Sequence, residues 1–124
     1  MPPYTATPQA YTESSVLTAP PGRLVVMLYD GAKRFLTQAA YAMREGDLEL
    51  ASNKLARAEA IIDELLATLD MERGGQVAER LQGIYVFCRR HLTEARLGRD
   101  AQRIDQVARL LGELRDAWAQ IASA

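Results

Sequence analysis

The sequence has few of the residues on which catalytic and redox chemistry depend. It contains one cysteine, Cys88, and one histidine, His91. A single cysteine cannot form an internal disulfide, which predicts a reducing compartment. A di-iron helical bundle needs a Glu-x-x-His motif on each of two helices, and the Gly-x-Gly-x-x-Gly and Walker patterns are missing as well. We therefore expect no enzymatic activity, no catalytic residue, and no bound metal or cofactor.

The sequence also lacks an excess of either charge and any long apolar run. Its 124 residues include 15 Lys and Arg against 16 Asp and Glu, a formal net charge of −1. This balance argues against a nucleic-acid partner and against a polybasic membrane-surface protein. No apolar run reaches the ~18 residues of a membrane helix, and residues 1–15 do not resemble a secretory signal. We therefore expect a cytoplasmic protein without membrane insertion.

Prolines are missing from most of the chain. All five lie within the first 21 residues, so none interrupts a helix in the remainder. The proline-containing part is rich in threonine and serine and has few large apolar side chains, whereas alanine and leucine, which favour helices, dominate the rest. These features predict a flexible N-terminal arm over residues 1–19 and a helical domain over residues 20–124.

Apolar residues recur at intervals of three and four in four segments separated by short breaks. Gly46 and Gly98 are expected to end helices, and Asp47 and Asp100 to cap the helices that follow. Residues 70–75, which end in two glycines, are predicted to form a loop. Short connectors favour antiparallel neighbours, so we predict an all-α, up-down-up-down four-helix bundle. The predicted helices span residues 21–44, 48–69, 76–97, and 101 to near the C-terminus.

The apolar faces are wider than the core of a bundle requires. A larger core, self-association, or a partner helix or extended peptide in a groove between helices would each cover the surplus. Tyr11, Val16 and Leu17 of the arm would cover such a groove when it is empty. The predicted partner-contact residues are Leu50, Ile61, Val86, Phe87, Leu110 and Ala117.

Three aromatic residues and the cysteine lie on these apolar faces. Tyr29 and Tyr85 are compatible with partner contact, or with core packing that leaves the hydroxyl at the surface. Trp118 is expected in the core. Cys88 is expected to be a buried structural thiol rather than a nucleophile, because a reactive thiolate needs an accessible, electropositive setting.

Several short motifs stand in a fixed order along the chain. Ala10–Tyr11, Val16 and Thr18–Ala19 precede Pro21, Leu24 and the run Met27–Ala32, which reads MLYDGA. Further along come the glycine pair at 74–75 and the ending Glu113–Leu114–Arg115 with Ala117–Trp118. Over about residues 10–121, this pattern resembles the flagellar secretion chaperone family FliS.

The resemblance implies a bacterial cytoplasmic protein that binds newly made flagellin. Members of that family hold the C-terminal segment of flagellin, which is disordered before assembly. They prevent its premature polymerisation and aggregation and deliver it to the flagellar type III export apparatus. The family fold is an antiparallel four-helix bundle whose N-terminal arm can occupy part of the binding surface. The alternative is a bundle that associates weakly with itself or binds another flagellar export or regulatory protein.

The sequence departs from the family pattern at several positions. Pro20 replaces a serine, and Cys88 stands where methionine is usual. Arg80 and Arg96 stand where asparagines are common. Val86 places an apolar side chain at a normally acidic position, which is expected to alter the partner surface. None of these changes interrupts a core heptad.

Overall fold

The computed structural model of the chain describes residues 21–123, which form four α-helices joined by connectors of two or three residues. Within this part of the chain no strand occurs. The predicted arm, with Tyr11, Val16 and Leu17, lies outside the described residues, so its role stays a prediction. The helices are α1 (Pro21–Arg44), α2 (Leu48–Thr68), α3 (Met71–Gly98) and α4 (Ala101–Ser123).

Aspartates begin three of the helices. The Asp47 carboxylate accepts a hydrogen bond from the Leu50 N–H at 3.1 Å, and the Asp100 carboxylate accepts one from the Gln102 N–H at 3.0 Å. Each carboxylate satisfies an N–H that has no partner within the helix and lies at the positive end of the helix dipole. Gly46 adopts a positive φ of 83° after α1. The predicted caps and the first helix stop are therefore confirmed.

The predicted loop over residues 70–75 is wrong. The Asp70 carboxylate accepts hydrogen bonds from the N–H groups of Glu72 and Arg73, at 3.1 and 3.0 Å, and so begins α3 at Met71. Only Gly75 departs from helical geometry, with φ 51° and ψ −129°, which introduces a kink. The end of α3 also differs from the prediction, since Gly98 is still helical and Arg99 takes the left-handed conformation at φ 52°.

Contacts between helices are consistent with the predicted antiparallel order of neighbours. As residue numbers rise along one helix, the numbers of the residues met on its neighbour fall. α1 packs closely against α2 and α4, while α3 contacts α2 and α4 and stands diagonally across from α1. The pairs that fix this order are Gly31–Ile61 for α1 and α2, Asp30–Arg115 and Arg44–Asp105 for α1 and α4, Asp63–Arg89 and Glu59–Arg96 for α2 and α3, and Glu94–Arg103 and His91–Gln106 for α3 and α4.

Small residues allow α1 to approach its neighbours closely. At Gly31 of α1, an added Cβ would lie only 3.3 Å from Cδ1 of Ile61 on α2. Larger residues at these positions would push the helices apart, because the core is already close-packed. The buried alanines of α1 and α2 are Ala32, Ala39, Ala40, Ala42, Ala51 and Ala58.

Glu59 is the one buried charged side chain in the described part of the chain, with 7% of its surface exposed. Its Oε1 accepts from Arg96 Nη2 at 2.8 Å, and its Oε2 accepts from Arg96 Nη1 at 3.1 Å and Arg89 Nη1 at 3.0 Å. Two guanidinium groups on α3 thus share one carboxylate on α2. The helical periodicity of the sequence did not reveal this arrangement.

Replacing Glu59 with glutamine should lower the free energy of unfolding by about 1–3 kcal/mol, because two guanidinium groups lose their shared anionic partner. Urea denaturation of both proteins would measure the difference. Glu64→Gln makes the same change at an exposed position of α2 and should alter the stability by less than about 0.5 kcal/mol. Equal effects of the two substitutions would show that the Glu59 ion pairs contribute nothing specific.

Candidate functional site

The predicted partner-contact residues do not form one continuous surface. Phe87, Leu50 and Val86 are exposed, Ala117 is exposed too, and Ile61 and Leu110 are half-buried against the core. Exposure alone does not test whether these residues bind a partner, so their role in partner contact stays a prediction. Leu50 and Ile61 lie between α1 and α2, and Val86 lies on the α2 side of α3. The other three, Phe87, Leu110 and Ala117, lie along the groove between α3 and α4.

The groove between α3 and α4 contains three of the six predicted contact residues. The pairs His91–Gln106 and Glu94–Arg103 fix the register of the two helices. Continued by one turn, that register places Phe87 opposite Leu110. The Phe87 ring stacks on the His91 imidazole, with centroids 5.0 Å apart and an interplanar angle of 21°. Because Phe87 is still 49% exposed, it offers an apolar surface on the α3 side of the groove.

Further toward the start of α3, the same register places Arg80 opposite Ala117 and brings the end of α4 beside Val77. Val77 is 64% exposed, and Ile121 near the end of α4 is exposed too. Val77 lies near the start of α3, two residues after the Gly75 kink, and Ile121 lies in the last turn of α4. Fewer neighbouring atoms surround side chains at these helix ends.

At this end of the bundle, Val77 lines a cleft, hereafter the end cleft. Its volume is about 370 Å³, and all four helices contribute to its walls. The walls are mostly apolar, with the Asp70 carboxylate and the Arg73 side chain among the few polar groups. The lining residues are Val25, Leu65, Thr68, Leu69, Asp70, Arg73, Gly74, Val77, Ala78, Leu81, Tyr85 and Trp118.

The two adjacent glycines give the wall of the end cleft its shape. A Cβ at Gly74 would lie 2.6 Å from the Ala78 Cβ, which is closer than two non-bonded carbon atoms can approach. Gly75 has a positive φ of 51°, a conformation that residues with a Cβ rarely adopt. The glycine pair therefore permits the first turn of α3 to bend relative to the rest of the helix beside the cleft.

Tyr85 lines the end cleft with its ring, and its hydroxyl is hydrogen-bonded to the hydroxyl of Tyr29 across the core. The two ring centroids are 6.4 Å apart. Burial raises the pKa of both hydroxyls above the usual tyrosine value. Both tyrosines are therefore core residues, and the expectation of surface hydroxyls is wrong. Trp118 is half-buried and lines the end cleft, so it is less enclosed than expected.

Cys88 is fully buried, as the sequence predicted. Burial raises the pKa of its thiol to about 11, which keeps it protonated at neutral pH and a poor nucleophile. Over residues 21–123, no cluster of three or more His, Cys, Asp or Glu side chains is placed to hold a metal ion. None of the described helices is both long and apolar enough to cross a membrane.

Comparison with known proteins identifies the family. The family model described as "Flagellar protein FliS" matches residues 4–124, nearly the whole chain. The chain belongs to the FliS family. The resemblance seen in the sequence motifs is confirmed.

Curated relatives in the FliS family come from several bacteria. The flagellar secretion chaperone FliS of Salmonella typhimurium is 40% identical over 115 residues, covering 92% of this chain and 85% of the relative. That of Campylobacter jejuni is 36% identical, covering 90% and 88%. That of Bacillus subtilis is 36% identical, covering 95% and 84%. The chaperone names of these FliS proteins point to a non-enzymatic protein with a role in flagellar export.

The departures from the FliS pattern have distinct places in the structure. Arg96 pairs with Glu59, so it supports the packing of α3 on α2. Cys88 fills a core position. Arg80 lies along the groove between α3 and α4, and Val86 is exposed on the other side of α3. Arg80 and Val86 therefore change the surface of α3, whereas Arg96 and Cys88 take part in its packing.

The buried tyrosine pair predicts non-additive mutations. Tyr29→Phe or Tyr85→Phe alone should cost about 1–3 kcal/mol, because each leaves a buried hydroxyl without its tyrosine partner. The double substitution should cost less than the sum of the two, since no such hydroxyl remains. Urea denaturation of the four proteins measures the coupling.

Tyr41→Phe is the control for this double-mutant cycle, because Tyr41 is an exposed tyrosine on α1. It should change the stability by less than about 0.5 kcal/mol. Strictly additive losses at Tyr29 and Tyr85 would contradict the assigned hydrogen bond.

Proposed function

We propose that this protein is a cytoplasmic export chaperone for flagellin. It binds the C-terminal segment of flagellin before assembly, prevents its premature polymerisation and aggregation, and delivers it to the flagellar type III export apparatus. The observation that carries the proposal is the mostly apolar end cleft, with exposed Val77 in its wall and exposed Phe87 further along α3, in a member of the FliS family. No chemical step is required of the chaperone.

The spacing of the exposed apolar residues on α3 suits a short amphipathic helix. Val77 and Phe87 are ten positions apart on α3, which corresponds to about 15 Å at ~1.5 Å per residue. A partner helix of similar length would place apolar side chains at i, i+3, i+4 and i+7 along the groove. The end cleft, at about 370 Å³, has room for an apolar anchor of the partner. A flagellin tail that is disordered when free would become helical as it binds.

Coupled folding and binding also explains how the client can be released. Ordering a disordered segment costs several kcal/mol of the gross interaction energy, even where the buried surface is large. Many modest apolar contacts therefore yield a specific complex without making it permanent. Such a complex protects the apolar stripe of flagellin in the cytosol and still gives up its client for export.

The N-terminal arm is proposed to cover this site when no client is bound. Pro21 begins α1, and Val25, one turn further, lines the end cleft. The chain that precedes Pro21 therefore starts beside the cleft. Leu17 is four residues before Pro21, within roughly 14 Å even if the chain is extended. Val16 and Leu17 can thus reach the end cleft, and Tyr11 can reach further along the groove.

Titration calorimetry with the C-terminal flagellin segment of the same bacterium should give one site and a negative heat-capacity change. Val77→Asp should weaken binding about tenfold or more, because a carboxylate would be buried against the apolar client. Leu97→Asp is the matched control, since Leu97 is 81% exposed on the same helix and lies away from the groove.

Equal affinities of Val77→Asp and Leu97→Asp would place the client elsewhere on the bundle. No heat and no complex on a sizing column would contradict the flagellin assignment. Elution of the protein by itself as a dimer would then favour the alternative of self-association.

Removing residues 2–17 should tighten client binding, because a cover that occupies the groove lowers the fraction of protein competent to bind. The same calorimetric titration measures the change. Removing residues 2–8 alone keeps Tyr11, Val16 and Leu17 and should leave the affinity unchanged. Weaker binding after the longer truncation would show that the arm contacts the client instead of competing with it.

A further inference from the structure

Three cations surround one aromatic ring between α1 and α2. The Phe35 ring centroid lies 5.7 Å from Arg34 Cζ, 5.6 Å from Lys54 Nζ and 5.7 Å from Arg57 Cζ. Arg34 and Phe35 belong to α1, whereas Lys54 and Arg57 belong to α2. We call these four residues the Phe35 cation cluster. It lies away from α3, on the far side of the bundle from the groove between α3 and α4.

The positive charges of this cluster have no carboxylate partners within residues 21–123. Many other arginines of the bundle do have them: Arg44, Arg89, Arg96, Arg103 and Arg115 all pair with aspartate or glutamate. The cluster is also not a consequence of general basicity, because the net charge of the chain is −1. It is a local concentration of positive charge that its own surroundings do not neutralise.

The aromatic ring holds these cations in place. A cation within ~6 Å of an aromatic centroid is attracted by the negative face of the ring. That attraction opposes the mutual repulsion of the three charges and restricts three otherwise flexible side chains. A partner that binds them loses less side-chain entropy than it would with freely moving lysines and arginines.

Apolar side chains flank the cations along the same edge of α2. Leu50, Lys54, Arg57 and Ile61 are spaced i, i+4, i+7 and i+11 and therefore share one stripe. Leu50 is 42% exposed, and Ile61 is half-buried beside Gly31. The stripe thus has an apolar residue at each end and two cations between them, over about 16 Å at ~1.5 Å per residue.

We propose that this stripe, together with Arg34 and Phe35, is a second docking surface that binds an acidic amphipathic helix of another protein. Carboxylates of that helix pair with Arg34, Lys54 and Arg57, and its apolar side chains contact Leu50 and Ile61. Because α1 and α3 are diagonal to each other, the edge between α1 and α2 faces away from the edge between α3 and α4. This helix and a client in the groove between α3 and α4 therefore bind at the same time. The inference does not depend on what the client is.

A fluorescently labelled synthetic helix with leucines on one face and glutamates beside them serves as the probe, and anisotropy measures its binding to the full chain. Lys54→Glu/Arg57→Glu should weaken binding about tenfold or more. Arg90→Glu/Arg109→Glu changes the net charge equally at exposed arginines elsewhere and should have little effect. Raising the ionic strength should weaken binding to the unaltered protein, because these partly exposed charges are screened.

Two further measurements decide between this surface and other sites. A probe with lysines in place of glutamates should not bind, and saturating flagellin segment should not displace the glutamate probe. Lys54→Gln/Arg57→Gln repeats the test without charge reversal if the glutamate variant loses its helical circular dichroism. Any of four results would overturn the proposal. The glutamate probe fails to bind, both probes bind equally well, the two double variants have equal effects, or flagellin displaces the probe.

Discussion

The way α3 is attached to the bundle determines where a partner can bind. α1 packs closely against α2 and α4 through glycine and alanine, and two ion pairs also join it to α4. α3 buries Leu81, Cys88 and Leu92 in the core, and the polar pairs described between α3 and its neighbours α2 and α4 involve Arg89, His91, Glu94 and Arg96 in its second half. Tyr85, at the middle of α3, shares a hydrogen bond with Tyr29 across the core. The first half of α3 exposes apolar side chains such as Val77 beside the end cleft.

This asymmetry suits a chaperone of the FliS family. The polar pairs and the buried core keep the bundle folded while the apolar surface beside α3 is empty. The proposed client contributes the missing apolar neighbours and becomes helical in doing so, which limits the net affinity. The opposite edge of the bundle has a different chemistry, with cations fixed around Phe35. Two surfaces of different character can thus serve two different partners.

The sequence was sufficient to predict the helices and most of their ends, because capping aspartates, glycine and the absence of proline act locally. It was not sufficient to place the six predicted contact residues. A helical wheel gives the angle of Leu50 or Phe87 on its own helix, but not which neighbouring helix lies at that angle. The hydrogen bond between Tyr29 and Tyr85 and the ion pairs of Glu59 join residues that are far apart in sequence, so the periodicity of one helix does not reveal them. The role of the glycine pair was missed because Asp70 extends α3 by one turn, which leaves Gly75 as a kink.

The most direct test of the central claim uses Trp118, the only tryptophan of the chain, which is half-buried in the wall of the end cleft. Its emission should be recorded while a tryptophan-free C-terminal flagellin segment is added. If the client occupies the groove and the cleft, the indole loses water, and the emission should shift to shorter wavelength and saturate at one segment per chain. Calorimetric binding without any change in the Trp118 emission would contradict the account.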